Sequence, residues 1–361
     1  MPILPSSTYR LQLGPSLGLE GAIDLLPYLG DLGVSHLYLS PVFEAATGST
    51  HGYDVVDPGT VSSALGGLDA FTALAAAARQ RGMGLVVDIV PNHMATSIPD
   101  NAWFRDVLAQ GRSSRYADHF DIDWGDDDRV LLPVLGDHYG RELDRRQFRL
   151  SRTGANIELA YRDRRFPLAA PSLAGLYDGV GDGIDSALAL VNDDPDRLHD
   201  ILERQHYRLA HWRLSRERLG YRRFLDIDTL IGLRVEDRPV FEDVHRLVID
   251  WALEGLIDGV RVDHPDGLRR PTEYFRRLRD ALPSAWIVAE KILEPGEELP
   301  GSWPVDGTTG YEHLNILTGL FVDPSAEAAF TGLHRELTGE TGTFAQVADG
   351  AKREILGSVL G

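Results

Sequence analysis

The chain has 361 residues, 43% of them apolar, which suffices for one large domain or two ordinary ones. Against 36 Lys and Arg stand 55 Asp and Glu, a formal charge of −19. That surplus repels nucleic acid and anionic membranes and leaves a neutral partner such as a sugar open. With no cysteine there is no disulfide framework and no thiolate chemistry. The N-terminus has neither a charged lead nor an apolar h-region, and no run approaches the ~18 apolar residues of a membrane span. A cytoplasmic protein without a signal peptide is the expectation.

In chain order, short apolar runs alternate with amphipathic stretches, the pattern of βα units around a parallel sheet. The first two strands are expected at 9–13 and 36–39. His51-Gly-Tyr-Asp54 follows in a Gly-rich loop. It reads either as a simple turn or as a stacking platform (Tyr53) beside a hydroxyl acceptor (Asp54). Leu68, Phe71, Leu74, Ala75 and Ala78 recur at helical spacing, and Gly82 suits the end of that helix.

A third strand is expected at 85–90, where Val86-Val-Asp-Ile-Val90 is β-branched apart from Asp88, as in a strand buried on both faces. Pro91 ends it, which leaves Asn92 and His93 at the rim. These two are either satisfied structural residues or contacts for sugar hydroxyls. Residues 96–196 break the rhythm and predict a subdomain inserted between the third and fourth strands. This section holds an acidic cluster (Asp118, Asp121, Asp123, Asp126, Asp127, Asp128) and a Gly/Asp-rich stretch at 175–185. The cluster fails the EF-hand pattern because Leu132 stands where the closing Glu belongs, so a solvated loop is expected and no metal site.

A long helix is expected over 198–219, and another opens at Pro239 with Val240, Val244, Leu247, Val248 and Trp251 on one face. The last two clear strands, 259–263 and 286–289, each lead to one carboxylate, Asp263 and Glu290. Adjacent parallel strands would bring both acids to one rim. Such a pair is either two ion-pair partners, of Arg261 and Lys291, or the nucleophile and acid/base of a retaining glycosyl transfer. The latter needs carboxyls about 5–5.5 Å apart. Arg261 lies two residues before Asp263 and so points to the same side, where it would keep Asp263 ionised.

Together these motifs resemble the α-amylase superfamily of glycoside hydrolases and transferases, with 88–93, 259–264, the Glu290 segment and 51–54 matching its short signatures in order. Longer stretches, among them Ser7-Thr-Tyr-Arg-Leu-Gln12, Gly48-Ser-Thr-His-Gly-Tyr-Asp54, Tyr221-Arg-Arg-Phe224 and Asp263-His-Pro-Asp-Gly-Leu268, are similar to the maltooligosyl trehalose synthase subfamily. The resemblance implies a TIM-type (β/α)8 barrel. Residues 1–95 would form its first three strands, 96–196 the inserted subdomain, and 197–361 strands four to six, without closure of the barrel. It implies conversion of the reducing-end α-1,4 linkage of a maltooligosaccharide to α,α-1,1 by intramolecular transglucosylation. Asp263 would be the nucleophile and Glu290 the acid/base. Tyr53, Asp54, Asp88, Asn92, His93, Arg261 and His264 would surround the sugar, with Trp103 and Tyr311 as further stacking candidates. It implies no cofactor, and a trehalohydrolase as pathway partner. The superfamily's third carboxylate, an Asp usually beside a His, has no match after Glu290. An N-terminal fragment, inactive or nearly so by itself, is therefore expected. The competing expectations are an α-amylase-like hydrolase or 4-α-glucanotransferase, a non-catalytic glucan-binding remnant, and a metal- or cofactor-dependent barrel enzyme.

Overall fold

The computed structural model describes residues 4–174, 176 and 183–358. Most of the Gly/Asp-rich stretch at 175–185 lies outside them.

Six parallel strands form one sheet in the order β1 (Thr8–Leu11), β2 (His36–Leu39), β3 (Gly84–Ile89), β4 (Gly259–Val262), β5 (Trp286–Ala289) and β6 (Gly307–Thr308). The order in the sheet follows the order in the chain, and helices make the first four crossovers: α1 (Leu19–Asp31), α2 (Gly67–Gln80), α3 (Arg238–Leu253) and α4 (Pro271–Ala281). Sequential parallel strands with helical crossovers are the winding of a barrel rather than of a doubly wound sheet. Among the described residues the sheet ends at β1 and β6 without pairing them, so it is part of a TIM-type barrel.

Sequence chemistry accounts for the elements locally. All six residues of β3 are buried, as an unbroken apolar strand covered on both faces must be. Pro239 sits in the first turn of α3, where its missing N–H costs nothing. The apolar stripe of α3 then packs inward, and Trp251 stacks on Phe71 of α2 with ring centroids 4.2 Å apart. Gly82, at φ 70°, reverses the chain after α2.

Between β3 and β4 the chain leaves the sheet. It builds a three-stranded antiparallel sheet (Phe148–Thr153, Asn156–Tyr161, Arg164–Pro167) and a parallel pair in which Tyr207–His211 lies beside Val130–Leu135. That pair crosses the expected boundary at 196. It also overturns the expected helix at 198–219. α-Helix is confined to Pro195–Leu202 and a single turn at Ser215–Arg218, and between them Tyr207 and Leu209 extend as a strand paired to a partner far back in the sequence. A further strand, Ile227–Gly232, pairs with His93–Ala95 directly after β3. The acidic cluster is tied down by arginines: Asp118 by Arg234, Asp121 by Arg222, Asp127 by Arg208 and Asp128 by Arg112.

Residues 311–358 form three helices with many exposed apolar side chains, among them Phe344 (89% exposed) and Phe321 (87%). No helix among the described residues is long and apolar enough to cross a membrane.

Candidate active site

Parallel register brings the acids together. Asp88 of β3 stands beside Arg261 of β4, and Arg261 beside Val288 of β5. Asp263 and Glu290 follow immediately at the C-terminal ends of β4 and β5, the end at which barrels of this type carry their chemistry. The ladder still anchors both residues: the Asp263 N–H donates to Ile89 O and the Glu290 N–H to Val262 O, each at 2.9 Å.

Arg261 is the hub. Its Nη1 donates to Asp88 Oδ1 and to Asp263 Oδ1, both at 2.7 Å, and its Nη2 lies 3.3 Å from Glu290 Oε2. Glu290 Oε2 also accepts the His264 backbone N–H at 2.8 Å. Lys291 does not pair with Glu290; it lies 3.0 Å from Asp266 and 3.1 Å from Glu297. The two acids therefore share one guanidinium, and in the ion-pair alternative Lys291 drops out, paired instead with Asp266 and Glu297.

Three carboxylates around one buried cation leave uncompensated negative charge. Burial pushes the Asp263 carboxyl up to about 7, with Arg261 opposing and Asp88 and Glu290 reinforcing the rise. Arg261, expected to keep Asp263 ionised, pulls in that direction, and desolvation outweighs it. Asp88, with no exposed surface, is likewise raised by burial, against Arg261 and the hydroxyls of Tyr53 and Tyr38. Tyr53 Oη donates to Asp88 Oδ2 at 2.6 Å and Tyr38 Oη to the same atom at 3.0 Å.

A cavity of about 770 Å³ opens over this cluster. Tyr53, Asp54, His93, Arg261, Asp263 and Glu290 all line it, with Tyr311 and Leu314 from α5 (Tyr311–Gly319). Asp88, Asn92 and His264, expected around the sugar, do not. Asp88 is the buried counter-ion of Arg261, Asn92 is buried between Arg222 and His93, and His264 donates its backbone N–H to Glu290 while its ring stands edge-on to Phe224. Trp103 stacks on Tyr116 at 5.0 Å, away from the cavity. Sequence reasoning missed Arg10, Tyr38, His51 and Phe224 on the wall. Tyr38 carried a usable signal: a tyrosine inside a short buried strand needs a hydrogen-bond partner for its hydroxyl.

The pocket is lined by carboxylates, a guanidinium, a neutral imidazole and aromatic rings, groups suited to a polyhydroxyl ring and to acid–base work on it. A second cavity of about 540 Å³ adjoins it across Asp54, Thr229 and Leu230.

Residues 3–143 match the family model for the α-amylase catalytic domain. A putative maltooligosyl trehalose synthase of Mycobacterium tuberculosis is 49% identical over 335 residues, covering 91% of this chain and 40% of that protein. The solved maltooligosyltrehalose synthase of Arthrobacter ramosus superposes with a TM-score of 0.85 at 44% identity, covering 99% of this chain and 44% of that one. An intracellular maltogenic amylase of Bacillus subtilis is 37% identical over 123 residues, covering 34% of this chain and 19% of that protein. The chain thus spans about two fifths of the length of the trehalose-forming relatives it matches, at 40% and 44%. The chain belongs to the α-amylase superfamily, and the relatives that match it along nearly its whole length are maltooligosyl trehalose synthases.

Proposed function

We propose that this chain carries the nucleophile and the acid/base of an intramolecular transglucosylase that converts the reducing-end α-1,4 linkage of a maltooligosaccharide to α,α-1,1. The observation that carries the reading is the sharing of Arg261 between Asp263 and Glu290 on the floor of the cavity.

Ionised Asp263 attacks C1 of the penultimate glucose. The C1–O4 bond breaks, its electron pair stays on O4, and O4 takes the proton of Glu290. The product is a β-glycosyl ester on Asp263 and a free glucose held in place. That glucose turns its own anomeric hydroxyl toward the ester carbon. Glu290, now a carboxylate, accepts the hydroxyl proton as the oxygen attacks C1 and the ester bond breaks. Two inversions leave an α linkage and restore both acids. Arg261 stabilises the Asp263 carboxylate as nucleophile and as leaving group. Water at the same carbon would give hydrolysis, so exclusion of water during the turn decides the outcome. The stretch between β3 and α3, which we read as an inserted subdomain, supports one wall through Thr229 and Leu230.

The neighbouring reading is an α-amylase-like hydrolase or a 4-α-glucanotransferase, supported by the partial likeness to the maltogenic amylase. Maltopentaose and product analysis separate the readings. The product of whatever turnover the chain retains is expected to be a non-reducing pentasaccharide; free glucose and maltose indicate hydrolysis, longer and shorter maltooligosaccharides indicate 4-α-transfer, and binding without any product indicates the glucan-binding remnant.

A further inference from the structure

Arg222, which does not line the cavity, uses every N–H of its guanidinium. Nε donates to Asp121 Oδ2 at 2.9 Å, Nη1 to Asn92 Oδ1 at 2.7 Å and Gly267 O at 3.3 Å, and Nη2 to Leu233 O at 2.8 Å and Asn92 O at 3.3 Å. The acceptors come from the segment after β3, the turn after β4 and the stretch between them. Two glycines make room. A Cβ on Gly232 would stand 2.5 Å from the Arg222 Cζ, and one on Gly267 2.7 Å from Asn92 Oδ1.

The arrangement has a consequence at the cavity. A guanidinium has no acceptor, so the Asn92 atom facing it must be the amide oxygen. The amide nitrogen is thereby turned to His93 Nδ1, 3.2 Å away. An amide nitrogen only donates, so Nδ1 must hold a lone pair. Burial keeps the ring neutral by pushing its pKa down to about 3, with the Tyr53 backbone opposing. The single ring proton then sits on Nε2. That atom is buried with no hydrogen bond of ordinary geometry, the Tyr53 backbone being the ring's remaining polar neighbour, and the ring lines the cavity.

We propose that Arg222 is a positioning residue which, through Asn92, locks His93 in the Nε2–H tautomer and makes it a hydrogen-bond donor to a sugar hydroxyl. The identity of the hydroxyl partner rests on the proposed function; the tautomer does not.

The test needs no ligand. Long-range ¹H–¹⁵N NMR of the labelled chain at neutral pH, with His93 assigned by a His93→Gln variant, reads which nitrogen carries the proton. The wild type and Arg222→Lys should show Nε2 protonated. Asn92→Asp replaces the donor facing Nδ1 with an acceptor and should move the proton to Nδ1, because a carboxylate keeps its pairing with Arg222. Arg222→Met should yield a mixture of tautomers. An Nδ1–H ring in the wild type overturns the proposal, and so does an unchanged Nε2–H ring in folded Asn92→Asp. If Arg222→Met does not fold, Asn92→Asp still decides. Calorimetry with maltotriose reads the proposed function separately. A wild type that shows the Nε2–H ring but binds no maltotriose contradicts the proposed function and leaves the relay standing.

Discussion

Asp88 and Asp263 accept from the same nitrogen, Arg261 Nη1, at 2.7 Å each. One of them faces the cavity and the other has no exposed surface at all. Asp88 therefore acts on the chemistry only through the guanidinium and the two tyrosine hydroxyls it holds. Replacing Arg261 by Lys keeps the charge and loses the forked geometry, which a point charge on a flexible stem does not reproduce. Arg261→Lys should lower kcat by at least ~100-fold with a smaller change in KM, the pattern of a lost transition-state contact. Steady-state kinetics on maltopentaose checks it. A change confined to KM would show that Arg261 only binds sugar.

The raised carboxyl of Asp263 sets the pH behaviour. The nucleophile must be ionised, so activity should fall on acidification through about 7. Stability has the opposite sign. A carboxyl raised on folding favours the native state fully below its unfolded value of about 4, and this favour is lost as pH rises toward about 7. Asp263→Asn should therefore melt higher than the wild type at pH 8, by at least ~2 °C, with the difference vanishing toward pH 4. Scanning calorimetry at both pH values reads this. A lower melting temperature for Asp263→Asn at pH 8 would mean that the pairing with Arg261 outweighs burial.

The Tyr38 and Tyr53 hydroxyls converge on one buried oxygen of Asp88. Removing either leaves that carboxylate short of a donor, a loss of about 1–3 kcal/mol in urea unfolding. The shorter bond is that of Tyr53, 2.6 Å against 3.0 Å. Tyr53→Phe should thus be the more destabilising of the two. Equal stability of all three proteins would show that water replaces the lost hydroxyl.

The helices after β6 present Leu320, Phe321 and Phe330 to solvent, 74%, 87% and 72% exposed. Large apolar side chains exposed in this number drive association in water. The chain should sediment as concentration-dependent oligomers, and replacing these three residues by Lys, Glu and Gln should shift it toward monomer. A wild-type chain that is monomeric at 100 micromolar (about 4 g/L, as an order of magnitude) would contradict this.

Asp263, Glu290 and the cavity-lining His93 were legible because each follows a short apolar run whose strand character is local. Tyr53 and Asp54 were legible as a loop motif whose first glycine demands a turn. Arg222 was invisible as a functional residue, since its contacts reach Asn92, 130 positions away. Tyr38 and Arg10 depend on strand register for their partners, which periodicity does not reveal. The false helix at 198–219 arose in the same way. Leu202, Leu209 and Trp212 suit a helical stripe, yet Leu209 sits in a strand whose pairing with Leu132 decides its conformation. Asn92 and His264 were assigned to the sugar with the motifs that hold Asp88 and Asp263. The Asn92 amide is committed to Arg222 and His93, and the His264 backbone N–H to Glu290.

The central claim is that Asp263 is the atom-bearing nucleophile. α-Maltosyl fluoride needs no protonation of its leaving group, so it can glycosylate the protein without Glu290, while breakdown of the ester still requires a base. Glu290→Gln treated with this reagent should therefore accumulate a covalent maltosyl adduct, seen in the intact mass and located by peptide mapping on Asp263. An adduct on another residue, or none from a protein that demonstrably binds maltose, would contradict the account.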